Sequence, residues 1–300
     1  MRVAFIGFGE VGAAFAAAVA ERGAEVRAFD VLLDQTAGRK RLEARAGKTR
    51  VAFCPLRQAV EGAQFVFSTV TTTVAREAAR LCAPELRAGQ TYLDFNATEP
   101  SVKSEIARII GPSGADFVEG AVLGAVGVTG ARTEILLGGP HAERVAQELA
   151  EGLGLNVRFY SAETGRASTF KMLRSVFSKG LEALLLEFLV AGERAGIRDD
   201  LWREVTELFD RNRFEKVAAN WICSHAVAHA RRHHEMIDVA AVLRGLGIDP
   251  IMTDATVDIF ARSVKLDMQN AFDARPDSME DVIRFLEARV RLKDGAHLKP

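Results

Sequence analysis

The sequence predicts an α/β protein whose doubly wound parallel sheet is followed by a domain built of helices. Three observations carry this. Up to about residue 160, short β-rich runs alternate with Ala-rich helical stretches. Several of the runs are near-continuously apolar, as strands covered on both faces are. Beyond Thr164 strand-like runs nearly vanish and a helical period takes over.

Seven strands are expected, at RVAFI from Arg2, EVRAF from Glu25, QFVFSTV from Gln64, TYLDF from Thr91, DFVEGAV from Asp116, TEILLG from Thr133 and NVRFYS from Asn156. Helices are expected between several of them, from Glu10, Thr72, Pro100 and Pro140, with Gly23 ending the first. The second half predicts one helix of almost thirty residues from Arg166. Further helices follow around Leu201–Leu208, Phe214–Val239, Asp254–Phe272 and Met279–Leu292. A boundary near Ser161–Gly165 divides the chain into residues 1–163 and 164–300, and the closing GAHLKP reads as a loose tail.

The bulk numbers narrow the function classes. With 39 Lys and Arg against 40 Asp and Glu, the net charge is −1. No bulk field draws nucleic acid or anionic lipid, so neither is expected as a partner. Cys54, Cys82 and Cys223 are scattered and form no disulfide framework, which fits a reducing cytoplasm. The N-terminus lacks the pattern of a signal peptide. The most apolar later segment is interrupted by Glu187 and Glu193 and is too short to span a bilayer. A soluble cytoplasmic protein is the expectation.

Gly7, Gly9 and Gly12 follow the first strand directly and open the first helix. In that context the spacing is a dinucleotide-binding signal of the Rossmann type. Gly7 permits the tight turn, Gly9 lets a pyrophosphate approach the backbone, and Gly12 lets helix and strand pack closely. Phe8, Glu10 and Val11 complete the cradle, where the helix N-terminus favours negative charge. Asp30 ends the second strand and is placed to accept from an adenosine ribose. Thr69, near the end of the QFVFSTV strand, and Asn96, following TYLDF, are further expected cofactor contacts. The carboxylate of Asp30 repels a 2′-phosphate and Val31 follows it, so NAD is expected. NADP is the alternative if Arg39, Lys40 and Arg41, in what reads as a loop, reach such a phosphate.

The second constellation lies in GRASTFKMLRSVFSKGLE. On a helix Lys171, Ser175, Ser178 and Glu182 share one face, with Arg174 and Lys179 on its flanks. This is either a solvated face or a polar stripe turned into a site. A lysine serves as general base only when its amine is neutral near pH 7, which needs burial or nearby cations. Arg174 and Lys179 are candidate cations, or anchors for a substrate carboxylate.

Here the chain resembles the β-hydroxyacid dehydrogenase group, which includes 3-hydroxyisobutyrate and 6-phosphogluconate dehydrogenases. The resemblance covers both halves and rests on GFGEVG, on DFNATEP from Asp94, on FVEGAVLGAVGVTGARTEILLGG from Phe117, and on the segment around Lys171. It implies a dinucleotide-binding domain followed by a helical domain that builds a homodimer, with Lys171 as catalytic acid/base. The implied substrate contacts are Asn96, Leu123, Gly124, Arg174, Ser175 and Lys179. Three departures are visible. Leu123 stands where the family has a serine, Ser175 where it has an asparagine, and Asn96 where relatives carry serine or threonine. The second half is similar to a subgroup whose C-terminal domain has no assigned function.

The reaction implied is hydride transfer between nicotinamide and a small β-hydroxy acid or its keto or semialdehyde form. Imine reduction or reductive amination on the same scaffold, and a non-catalytic nucleotide sensor, are the alternatives. Gly120, Gly124 and Gly127 form a Gly-rich stretch where backbone N–H groups can approach an anion. His225, His229 and His233 fall at helical spacing beside His234 and Glu235, as a polar face, a pocket lining or a zinc site; no metal is expected. The apolar arc of EALLLEFLVAG is wide enough to call for a partner.

Overall fold

Alternation along the first strand fixes how the sheet is covered. In β1 (Arg2–Ile6), Val3 and Phe5 point to one face, and Ala4 and Ile6 to the other. The structure is a computed structural model that describes residues Met1–Val290; the expected GAHLKP tail and the end of the last predicted helix lie outside the described residues.

β1 is joined in one sheet by β2 (Glu25–Phe29), β3 (Val51–Phe53), β4 (Phe65–Ser68), β5 (Thr91–Asp94), β6 (Asp116–Val122), β7 (Ile135–Gly138) and β8 (Val157–Ser161). Their order is β3-β2-β1-β4-β5-β6-β7-β8. All pairings are parallel except β6 with β7, which run antiparallel. The expected parallel sheet is therefore interrupted once. β6 and β7 are linked by a loop holding the short α6 (Val126–Thr129) and one 3-10 turn at Gly130–Arg132, so no crossover helix carries the chain back to start a parallel strand.

One face of the sheet is covered by α1 (Glu10–Glu21), α2 (Thr36–Ala46) and α7 (Ala142–Leu153). α1 buries Gly12, Phe15, Ala16 and Val19, one stripe at helical spacing, and Gly23 with φ 81° follows its end. On this face Phe5, Phe67 and Phe95 meet edge to face at 5.2 and 5.0 Å. The opposite face packs against α3 (Leu56–Val60), α4 (Ala75–Cys82) and α5 (Pro100–Ile110), through Val60, Ala79, Ile106 and Ile110. Arg39, Lys40 and Arg41 lie on α2 rather than in a loop.

The remainder is helical: α8 (Arg166–Ala195), α9 (Arg198–Arg211), α10 (Phe214–Gly245), α11 (Ile251–Lys265), α12 (Met268–Ala271) and α13 (Met279–Arg289). The chain divides into two compact units, Met1–Phe177 and from Ser178 onward, so the division falls within α8, whose first residue lies next to the expected boundary. In the second unit Ala226, Met268 and Val282 are enclosed, and α11 begins on the carboxylate of Glu187, which accepts from Met252 N at 2.8 Å and Thr253 N at 2.9 Å. No helix among the described residues is long and apolar enough to cross a membrane.

The histidine run is part of this helical core. His225 Nε2 lies 2.8 Å from Ser263 Oγ and its ring 5.0 Å from that of Phe260, while His229 is buried with Nδ1 against the carbonyls of His225 and Ala226. Among the described residues no cluster of three His, Cys, Asp or Glu side chains is placed to hold a metal. Burial, with repulsion from His229 and Arg232, lowers the His225 pKa from 6.5 to about 4. The unfolded chain takes up this proton first, so the stability of the helical unit is complete above pH 6.5 and declines as pH falls toward 4. Melts followed through Trp202 and Trp221 fluorescence at several pH values check this, and His225→Gln is expected to flatten the decline.

Candidate active site

The sheet order reverses between β1 and β4, and the loops leaving those two strands open a crevice at their carboxyl ends. Gly7 turns the chain with φ 84°, and a side chain there would press on Val70 and on the Thr69 carbonyl. Thr69 Oγ1 donates to Gly7 O at 2.7 Å and ties the two loops together. A Cβ on Gly12 would stand 2.8 Å from both of those oxygens, so Gly12 is what lets α1 begin against the loop. Gly9 differs, since a Cβ there meets nothing within 4 Å. Its position is open toward the crevice, beside the first-turn N–H groups of α1, which lack intrahelical acceptors. A pyrophosphate fits that space and that charge.

The crevice encloses a cavity of about 640 Å³. Asp30 sits on its wall, with Oδ2 accepting from Phe8 N at 2.8 Å and Oδ1 from Leu32 N at 3.0 Å. Its carboxylate holds the glycine loop and stands at the end of β2, where an adenosine ribose would lie. Arg45 of α2 donates to Phe8 O at 2.9 Å from behind. Glu10, Asp30 and Glu77 line the cavity, and no Lys or Arg does among the described residues. Arg39 instead borders a separate surface depression with Glu43 and Thr49.

A second cavity of about 390 Å³ adjoins the first, sharing Glu10, Val11, Thr69, Val70 and Thr71 with it. Lys171, Asn96 and Gly124 line this one. Burial, with added repulsion from the Lys103 ammonium, brings the Lys171 amine down from 10.5 to about 8. The start of α8 is set by Glu119 of β6, a fully enclosed carboxylate. It accepts from Gly165 N at 2.7 Å, Ala167 N at 3.0 Å and Ser168 Oγ at 2.6 Å. Lys171 follows one turn later, so its place over the cavity depends on that anchor.

The expected substrate contacts separate into two groups. Asn96, Gly124 and Lys171 come together. Leu123 packs with Ala121, Leu136, Ala167 and Phe170, so an apolar contact between β6 and α8 replaces the serine of the resembling family. Arg174 and Lys179 are exposed and line neither cavity, and Ser175 Oγ donates back to Lys171 O at 3.1 Å. The cation beside Lys171 is Lys103, which spacing along α8 had no means of revealing. Of the three glycines expected to receive an anion, Gly120 makes room for the Phe95 ring and Gly127 for the Glu10 carboxylate. Lys103 and Glu119 join the site only through the packing of α5 and α8. Their signal was a charge on an otherwise buried row, Lys103 with Ile106 and Ile110, and Glu119 within DFVEGAV.

Residues 2–153 match the NAD binding domain of 6-phosphogluconate dehydrogenase, and residues 193–263 match a domain of unknown function, DUF1932. A conserved protein of unknown function, described as structurally similar to 3-hydroxyacid dehydrogenases, is 32% identical. The match covers 90% of this chain and 99% of that one, with a TM-score of 0.59. The 2-(hydroxymethyl)glutarate dehydrogenase of Eubacterium barkeri is 24% identical over 68% of each chain. An imine reductase from Myxococcus stipitatus, solved in complex with NADP+, has a TM-score of 0.75 at 17% identity over 95% of this chain and all of that one, a likeness of fold alone. The chain belongs to the hydroxyacid dehydrogenase-like family that carries the 6-phosphogluconate dehydrogenase NAD(P)-binding domain.

Proposed function

We propose that this protein is an NAD-dependent dehydrogenase of a small β-hydroxy acid, with Lys171 as general acid/base. The observation that carries the reading is a lysine whose amine is brought to about 8, opening on a cavity that adjoins the dinucleotide crevice. Gly9 and the start of α1 would hold the pyrophosphate, Asp30 the adenosine ribose, and Thr69 and Asn96 the nicotinamide end. Nicotinamide bound there supplies the hydride acceptor or donor. Lys171, with its amine neutral, takes up the substrate hydroxyl proton during oxidation and returns a proton during reduction. Asn96 orients the hydroxyl.

The carboxylates of Glu10, Asp30 and Glu77 favour NAD, because a 2′-phosphate would meet negative charge in a cavity that no Lys or Arg lines among the described residues. Like-charge apposition of this kind costs several kcal/mol, so kcat/KM with NAD is expected to exceed that with NADP by roughly a hundredfold. The test is turnover of a panel of β-hydroxy acids with both cofactors, alongside ketone plus amine with reduced cofactor. Turnover confined to the amine arm would move the assignment to reductive amination. Cofactor binding without any turnover would leave a sensor.

The partner expected in this reading is a second copy. α8 exposes Leu173, Val176, Leu184, Leu186 and Val190, with Val176 72% and Leu186 62% accessible. A helix apolar on so wide an arc calls for cover. Light scattering is expected to give twice the 32.6 kDa chain mass, and Leu186→Glu to shift the protein toward monomer.

A further inference from the structure

Lys103 is a buried charge without a part in the reaction just described. It lies on α5 with its side chain fully enclosed, and Nζ donates to Asp94 Oδ2 at 2.7 Å, Asp94 O at 2.8 Å and Asn96 O at 2.7 Å. An ammonium has three protons, so three acceptors satisfy it and fix it in place. Asp94 in turn accepts from Asn96 Nδ2 through Oδ1, and the same Nδ2 donates to Ser68 Oγ at 2.9 Å. A carboxylate paired with an ammonium only accepts, which decides the orientation of the amide: its nitrogen faces Asp94. What remains of the amide is Oδ1, buried and without a hydrogen-bond partner among the described residues. Asn96 is 4% exposed and lines the cavity that Lys171 lines.

We propose that Lys103 is a positioning residue of the active site. Through Asp94 it locks Asn96 so that a ligand meets only the amide carbonyl oxygen, and it stands as an ion-paired cation behind Lys171. The group that Asn96 accepts is then a hydrogen-bond donor, a substrate hydroxyl or the carboxamide NH2 of nicotinamide, never a carboxylate. This assignment of the donor rests on the dehydrogenase reading. The charged groups around Lys171 are Lys103 on α5, its partner Asp94 on β5, Glu10 of α1 in the cavity and Glu119 of β6 beneath the start of α8. Of these four Lys103 is the cation, and its repulsion adds to burial in lowering the Lys171 pKa.

The test measures the Lys171 amine directly, without turnover. Trace acetylation of the full-length protein across pH, read at Lys171 by mass spectrometry, gives its titration in the parent, in Lys103→Met and in Lys103→Gln. The glutamine keeps two N–H donors for the neighbouring oxygens and removes the charge, which protects against loss of fold. In both variants the Lys171 pKa is expected to rise by about one unit. The acid limb of kcat/KM should move up with it, and kcat/KM above the limb should fall about tenfold as Asn96 loosens. Affinity for ADP-ribose, which lacks the nicotinamide, read by fluorescence titration, should hold within about twofold, since Asp30 and the glycine loop are untouched. A Lys171 titration unchanged in the folded variants overturns the proposal, whatever the turnover. A shifted titration in a protein that oxidises no hydroxy acid keeps Lys103 in its role and removes the dehydrogenase reading instead.

Discussion

Lys171→Met is expected to lower kcat for hydroxy-acid oxidation by about a thousandfold, within the range that a positioned general acid/base supplies. Methionine matches the lysine stem in length and bulk and removes the amine, so the cavity keeps its walls and the dinucleotide crevice is not reached. Cofactor affinity should therefore be unchanged, which separates a lost proton acceptor from a lost binding site. The pH dependence adds a second signature. With the amine at about 8, kcat/KM for oxidation is expected to rise with pH through 8 and level above it, because the neutral amine is the active form in the proposed mechanism. For reduction the same mechanism uses the protonated form, so the limb is expected to be reversed, with activity falling through 8. Both limbs should be absent from the residual activity of the variant. Stability should move the other way. A half-buried ammonium is held away from water, and replacing it with an apolar chain is expected to raise Tm by about 2–4 °C. Turnover close to that of the parent with cofactor binding intact would take Lys171 out of the mechanism.

The parts of this site that the sequence revealed are those in which local pattern and three-dimensional role coincide. β1, β2 and β6 begin and end where their strand-like runs do, and the glycine spacing states its own geometry because the constraints on Gly7 and Gly12 are met near the turn or across to Thr69 and Val70, while Gly9 faces open space. α2 escaped because its sequence, TAGRKRLEARA, is polar nearly all round and buries only Gly38 and Leu42, so it carries no apolar stripe to read. β3 has three residues at the edge of the sheet, too few to show alternation. The direction of β7 is set by its connection rather than its composition. The misplaced cations have the same cause: Arg174 and Lys179 are neighbours of Lys171 in sequence, whereas Lys103 is its neighbour only after α5 and α8 have both packed near β5 and β6. Helical spacing reports one element at a time and is silent about what another brings.

Acids that interrupt apolar runs turn out to share a purpose here, which leads to the largest effect on stability. Glu187 breaks the run in α8 and receives the start of α11; Glu119 breaks the run in β6 and receives the start of α8. Each brings a carboxylate to backbone N–H groups that a helix leaves without partners. Gly138 on the paired strand is the matching allowance, since a Cβ there would overlap the Glu119 carboxylate. Glu119→Ala strands the N–H groups of Gly165 and Ala167 and the hydroxyl of Ser168 in a closed interior, at a cost of about 3 kcal/mol for hydrogen bonds to a charged acceptor. Glu119→Gln keeps an oxygen for the two N–H groups that share Oε1 and loses the charge, so it should cost about 1 kcal/mol. The activity ranking follows from position. Lys171 lies just past the anchored turn, so kcat is expected to fall modestly in the glutamine variant and about a hundredfold in the alanine variant, as misplacing a reacting group does. Chemical denaturation paired with steady-state kinetics checks both orders at once. Equal stability in parent and Glu119→Ala would mean that α8 is held by its apolar contacts alone and that the carboxylate does not set the place of the lysine.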